Sequence, residues 1–257
     1  MIKIALVQIC IDYENVQRNI TKGLSFISKA IDMGCKVIIL PELWSTGFRL
    51  ENCLSFSEVN VSLLDTLSTI SNKNYVEIMG SYITKQNGFY CNEFIVVRPK
   101  LSRVSYKKMH LFPSLQEPRY FKAGTDIQVF TSIIGETGPS ICFDLRFPEV
   151  YTKITKKNGQ AHVIPAHWPS LRIHHWDILL QARAIETMSY VIGVNSVGKS
   201  GKTNFGGHSA VISPDGDVVA QASSTEEEIC VVNIDPDLPG LVRKTHSFFS
   251  ELNKTRN

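Results

Sequence analysis

Pro139-Ser-Ile-Cys-Phe-Asp-Leu-Arg-Phe-Pro-Glu149 carries two structural instructions in one short run. An apolar strand is expected over 139–142 and ends at Cys142. A polar stretch follows, and Pro148 suits the first turn of a helix. The cysteine therefore sits on a strand-to-helix corner. The N–H groups that follow it, and the helix N-terminus beyond, are placed to favour a thiolate and a developing oxyanion. Spacing alone leaves a second reading open, that of an inert, buried cysteine.

Outward from this corner, apolar strands alternate with helical spacings. Residues 3–9 read as a buried strand. Val16, Ile20, Leu24, Ile27 and Ile31 recur at helical intervals, with Gly34 to close the helix. Val37 to Leu40 form a second strand, and Leu63, Leu64, Leu67 and Ile70 mark another helix. Strands are expected near 75–83 and 90–97, joined at Asn87-Gly88, a hairpin signal. Another is expected near 101–106. The second half predicts strands at 127–134, 139–142, 161–165, 190–195, 207–213, 217–222 and 228–234. Turns are expected at Gly135 to Gly138 and Pro214 to Asp217, and a helix at 174–189.

Gly34-Cys-Lys-Val-Ile-Ile-Leu-Pro-Glu-Leu-Trp44 echoes Gly159-Gln-Ala-His-Val-Ile-Pro-Ala-His-Trp168. A match this short fits either chance or a duplicated strand unit. Strands with intervening helices imply an α/β domain with helices covering sheets.

The bulk properties narrow the function classes. Hydrophobic residues make up 43% of 257, enough for a sizeable core. A net charge of +3 is small and not concentrated: Lys153, Lys156 and Lys157 form the densest basic cluster, without interleaved aromatics. No nucleic-acid partner is expected. The apolar run at the N-terminus is too short to span a membrane and lacks a small-residue cleavage site, so no membrane association and a cytoplasmic location are expected. Cys10, Cys35, Cys53, Cys91, Cys142 and Cys230 are scattered with no C-x-x-C pair, which argues against a disulfide framework and a structural zinc site. The histidines show no metal-ligand spacing, and no Gly-rich phosphate loop is present. No metal and no cofactor are expected.

If Cys142 reacts, it needs a proton acceptor, and a thioester on it needs an activated water. Glu42, in Leu40-Pro-Glu-Leu-Trp-Ser-Thr-Gly47, follows a buried strand where α/β sites gather, although a solvated loop acid reads the same way alone. Lys108, in Tyr106-Lys-Lys-Met-His-Leu-Phe112, and the N–H of Phe143 can supply positive charge to an oxyanion.

These three stretches together resemble the nitrilase superfamily of carbon–nitrogen hydrolases. The family pattern has a glutamate in P-E-x-x-x-x-G, a lysine in Y-x-K-x-H-L-F and a cysteine in C-x-D-x-R-F-P, falling here on Glu42, Lys108 and Cys142. A second family glutamate, which supports the lysine and contacts substrate, corresponds to Glu117. The resemblance covers residues 1–249 and implies one carbon–nitrogen hydrolase domain, a four-layer α-β-β-α sandwich that pairs as a homodimer. A polar C-terminal tail is expected at 250–257. Phe143 stands where the family often has Tyr or Trp.

Ala166-His-Trp-Pro-Ser-Leu-Arg-Ile-His-His-Trp-Asp177, with Gln181-Ala-Arg-Ala-Ile-Glu186, looks like the bacterial omega-amidase group. The implied substrate is a small dicarboxylate monoamide of the 2-oxoglutaramate or succinamate type. Arg172 is a candidate for its carboxylate and Trp168 for the pocket wall. A solvated loop arginine and a core tryptophan are the bland alternatives. Rival substrates on the same chemistry are an N-carbamoyl compound, an aliphatic amide or deaminated glutathione. A rival of another class is a catalytically silent binding protein.

Overall fold

Along β1 (Ile2–Gln8) the side chains alternate between two buried faces, and that alternation sets the layer order. Ile4 and Leu6 enter one apolar cluster; Ala5 and Val7 enter another. A strand buried on both faces must lie between two layers. The computed structural model describes residues 1–246 and Phe249, so the expected tail at 250–257 lies outside the described residues.

The first half continues through α1 (Val16–Asp32), β2 (Val37–Ile39), α2 (Cys53–Asn74), β3 (Glu77–Gln86), β4 (Phe89–Val97) and β5 (Val104–Lys107). Then come α3 (Glu117–Tyr120), β6 (Phe130–Ser132), β7 (Gly135–Pro139), α4 (Pro148–Lys156), β8 (Ala161–Ala166), α5 (Ile173–Thr187) and β9 (Tyr190–Asn195). A hairpin of β10 (Val197–Ser200) and β11 (Thr203–Gly206) precedes β12 (Ala210–Ile212), β13 (Val218–Gln221), β14 (Glu228–Ile234) and α6 (Leu238–Thr245).

One six-stranded sheet has the order β14-β1-β2-β3-β4-β5 and the other β6-β7-β8-β9-β12-β13. Read in that direction, both pair antiparallel, parallel, parallel, antiparallel, antiparallel. The echoing segments are β2 and β8, which hold the same place in the two sheets. The echo thus marks a repeated strand unit. Ile4, Leu6, Val37, Ile39 and Phe94 of the first sheet share one cluster with Val163, Ile164 and Ile192 of the second. Ala5, Val7 and Ile38 pack with Ile20, Ile27, Leu63 and Leu67 of α1 and α2, while Ile154 and Leu180 cover the second sheet from α4 and α5. The result is the expected α-β-β-α sandwich.

Local signals hold at several boundaries. Asn15 caps α1 by accepting from the N–H of Arg18, and Gly34 ends that turn at φ +80°. Asn87 and Gly88 both take positive φ between β3 and β4, as a type I′ hairpin requires.

Three expectations fail. Gly135 to Gly138 is not a turn but most of β7, and the strand expected at 139–142 ends at Pro139. The β6–β7 turn falls instead on Ile133-Ile134, between paired Ser132 and Gly135, which cuts the strand expected at 127–134 short. Gly138 lies where it does because α4 presses on the strand: a Cβ there would stand 2.1 Å from Ile154 Cγ2. The β10–β11 hairpin and α6 were not anticipated. Among the described residues no helix is long and apolar enough to cross a membrane.

Candidate active site

The sandwich brings three strand ends and the start of a short helix to one place. Glu42 follows β2, Lys108 follows β5, and Cys142 follows β7 across the sheet interface. Glu117 opens the short α3 beside them. Glu42 and Glu117 are 0% exposed and Lys108 1%, so these charges have no water to stabilise them and depend on one another.

Lys108 Nζ donates to Glu42 Oε1 at 2.7 Å and to Glu117 Oε1 at 2.9 Å, and lies 2.8 Å from Glu117 Oε2. Asn92, on β4, donates to the same two carboxylates at 2.8 and 3.2 Å. Glu42 Oε2 accepts from the backbone N–H of His167 at 3.1 Å, and Glu117 Oε2 from the N–H of Phe112 at 2.5 Å. Glu42 and Lys108 therefore meet, Cys142 lines the same cleft, and Glu117 joins them as the partner of Lys108.

The local environment sets the proton affinities. Burial pushes the Glu42 carboxyl above the ordinary glutamate range; Lys108 pulls it down and Glu117 pushes it up. Burial alone would depress Lys108, but Glu117 and Glu42 outweigh it and hold the ammonium charged. Burial, then Glu42, pushes the Cys142 thiol well above its ordinary value, with Lys108 opposing. Burial and Glu42 oppose the thiolate expected at this corner. The neutral thiol is favoured because burial and the Glu42 carboxylate both weigh against a thiolate. Moreover, a 3-10 turn (Cys142–Arg146) separates it from α4, which begins only at Pro148.

Cys142 occupies the left-handed backbone region at φ +44°, a strained place for a side chain that must face the site. Asp144 holds that corner. Its Oδ2 accepts from the N–H of Ile141 at 3.0 Å and from Tyr106 Oη at 2.8 Å. Its Oδ1 accepts from the N–H of His110 at 2.8 Å and meets His110 Nδ1 at 2.8 Å. The ring of His110 is stacked on Phe147, centroids 3.6 Å apart. Among the residues missed, Asp144 and Tyr106 stand inside the motifs already quoted. Asn92 gave no signal beyond a polar residue within a strand.

Above this group opens a cleft of about 1040 Å³. Phe143, Trp168 and Arg172 all line it, as does Arg146. Arg146 lies over the Trp168 ring at 4.7 Å and Arg172 over Phe112 at 5.8 Å. Neither arginine has a carboxylate within salt-bridge distance, among the described residues. Trp168 is 3% exposed and fills both expected roles, in the core against Trp176 and in the cleft wall. The described residues hold no cluster of His, Cys, Asp or Glu that suits a metal ion.

The carbon–nitrogen hydrolase family model matches residues 3–244. This chain is a carbon–nitrogen hydrolase. Relatives of this hydrolase include 2-oxoglutaramate amidase of Bacillus subtilis (strain 168), 34% identical across 98% of this chain and 97% of its own. The hydrolase in agr operon of Staphylococcus lugdunensis is 36% identical across 84% and 94%. Omega-amidase YafV of Escherichia coli (strain K12) is 33% identical across 74% of each chain. Among solved structures, the C. elegans NitFhit protein superposes with a TM-score of 0.88 at 28% identity, covering 96% of this hydrolase and 64% of that chain. XC1258 from Xanthomonas campestris, a CN-hydrolase superfamily protein, also scores 0.88, at 23% identity over 97% and 96%. The nitrilase-superfamily fold of this hydrolase is thus shared over nearly its whole length.

Proposed function

We propose that this hydrolase cleaves the terminal amide of a small carboxylate-bearing substrate, of the 2-oxoglutaramate or succinamate type, through a thioester on Cys142. The observation that carries the substrate reading is the pair Arg146 and Arg172: two cations with no carboxylate partner among the described residues, in the cleft that Glu42, Lys108 and Cys142 also line. A planar guanidinium pair suits a substrate carboxylate. The names of the amidase relatives support the same class.

The steps follow from the geometry. Glu42, made more basic by burial, accepts the thiol proton as Cys142 sulfur forms a bond to the amide carbon. The amide oxygen gains the displaced charge and is stabilised by Lys108 and the N–H of Phe143. The C–N bond then breaks, and Glu42 passes its proton to the departing ammonia. Water enters, Glu42 takes one of its protons, and hydroxide attacks the thioester carbon. The C–S bond breaks, the acid departs, and the sulfur regains the proton from Glu42. Glu117 and Asn92 keep Lys108 and Glu42 in register throughout.

We also propose a homodimer that works in the cytoplasm. Ile178 and Ile185 on α5 and Val218 and Val219 on β13 are exposed apolar residues suited to a second copy. All six cysteines are free, as a reducing compartment favours.

An ammonia-release screen tests the substrate reading. Turnover of 2-oxoglutaramate and succinamate should exceed that of butyramide and of N-carbamoyl amino acids. Activity confined to the N-carbamoyl compounds would overturn it.

A further inference from the structure

His167 ends the strand unit that mirrors the one bearing Glu42, yet its ring takes no part in the steps above. The segment 167–168 touches both ends of the cleft: the backbone of His167 holds Glu42, and the ring of Trp168 lies under Arg146. The His167 ring is held between Phe48, centroids 5.3 Å apart and nearly parallel, and Phe205, at 3.4 Å. Its Nδ1 meets Ser196 Oγ at 2.5 Å. Among the described residues Nε2 has no protein partner, and it is not sealed off from the cleft that the ring lines.

The tautomer follows from Ser196. That residue is 0% exposed, and Nδ1 of His167 is the partner of its hydroxyl. Were Nδ1 to donate, the buried hydroxyl proton would have no acceptor, and an unmade donor is costly. Ser196 therefore donates to Nδ1, and the ring proton sits on Nε2. Burial, helped by Lys108, holds the His167 pKa at about 3, so the ring stays neutral with one donor at neutral pH. Packing against Phe48 and Phe205, with the Ser196 bond, fixes the plane of the ring that carries that donor.

We infer that His167 is a specificity residue whose Nε2–H donates to an oxygen on the acidic end of the substrate, remote from the scissile amide. This rests on the proposed function, because it presumes an amide with an oxygen-bearing far end. The scissile amide itself already has Lys108, Glu42 and Cys142. A neutral, fixed donor complements the two arginines: they supply charge and it supplies direction, so an amide lacking oxygen at that end leaves the donor unpaired.

The test compares kcat/KM for succinamate and for butyramide. In His167→Phe, which keeps a ring between Phe48 and Phe205 but has no donor, the succinamate-to-butyramide ratio should fall about tenfold or more. In His167→Gln, whose amide can present a donor near the Nε2 position, the ratio should return to within about threefold of wild type. An unchanged ratio in His167→Phe, or an equal fall in both variants, overturns the role of His167 while leaving the functional reading in place. A wild-type enzyme that prefers butyramide overturns the functional reading and this inference with it. Nitrogen-15 spectra of histidine-labelled wild-type protein give a check that needs no variant. They should show His167 as the Nε2–H tautomer at neutral pH; an Nδ1–H ring or a charged ring there contradicts the inference.

Discussion

The carboxylate of Glu42 accepts a hydrogen bond from the backbone N–H of His167, and the N–H of Glu42 donates in turn to the carbonyl of Ala166. The ends of β2 and β8, equivalent strands of the two sheets, are thereby tied across the interface. The proposed base is fixed by the half of the fold that carries Cys142. Glu42→Gln keeps this shape and the bond from His167 but removes the proton acceptor. Its kcat should fall by about 10²–10⁴-fold in an ammonia-release assay, with the melting temperature little changed. A fall of less than tenfold would contradict the role of Glu42.

Lys108→Met leaves two carboxylates buried without their cation. Removing one partner of a buried ionic group destabilises by about 3–5 kcal/mol, measurable by urea unfolding. The pH dependence has a definite sign. The folded Glu42 pKa is already raised above 4.5, and losing Lys108, which lowers it, raises it further. Below pH 4.5 the carboxyl is protonated in both states, so the deficit against wild type is smallest there. It should grow as pH rises through the raised folded value, where folding requires a charge to be buried or a proton retained. A deficit independent of pH would contradict this.

Activity should follow the same groups. Catalysis needs Glu42 ionised and the Cys142 thiol protonated at rest. The acid limb of kcat/KM should therefore lie above the ordinary glutamate value of 4.5. No alkaline fall from the thiol should appear below its ordinary value of 9.0. Thiolate absorbance in the ultraviolet, compared between wild type and Cys142→Ala, checks this directly. A Cys142 thiolate present at pH 7 would contradict it.

Much of this site was legible because it depends on local patterns. Cys142 follows an apolar strand and precedes a helix-starting proline, and Glu42 and Lys108 also follow strands, so their spacing survives in the chain. What the sequence hid is set by contacts distant along it. Asn92 belongs to the site only because β4 pairs with β5, bringing it beside Lys108. Gly135 to Gly138 resembled a turn by composition, yet the glycines serve a strand that α4 approaches closely. The upward push on the Cys142 thiol also escaped, since burial and the Glu42 carboxylate are set by distant contacts.

Gly138 offers a stability test of that reading. Gly138→Ala forces a Cβ into Ile154, and such overpacking should destabilise by about 1–3 kcal/mol in thermal or urea unfolding. The double variant with Ile154→Val should recover part of the loss. A neutral Gly138→Ala would show that α4 yields without strain.

Arg146→Met and Arg172→Met should each raise KM for succinamate by about tenfold or more while changing butyramide turnover far less. An equal effect on both amides would show that the arginines support the cleft and do not bind the carboxylate.

Ammonia release by Cys142→Ala is the most direct measurement. With 2-oxoglutaramate at concentrations that saturate the wild type, this variant should fold normally and release no ammonia above the uncatalysed background. Turnover within tenfold of wild type would mean that no thioester forms on Cys142, and the mechanism would be wrong.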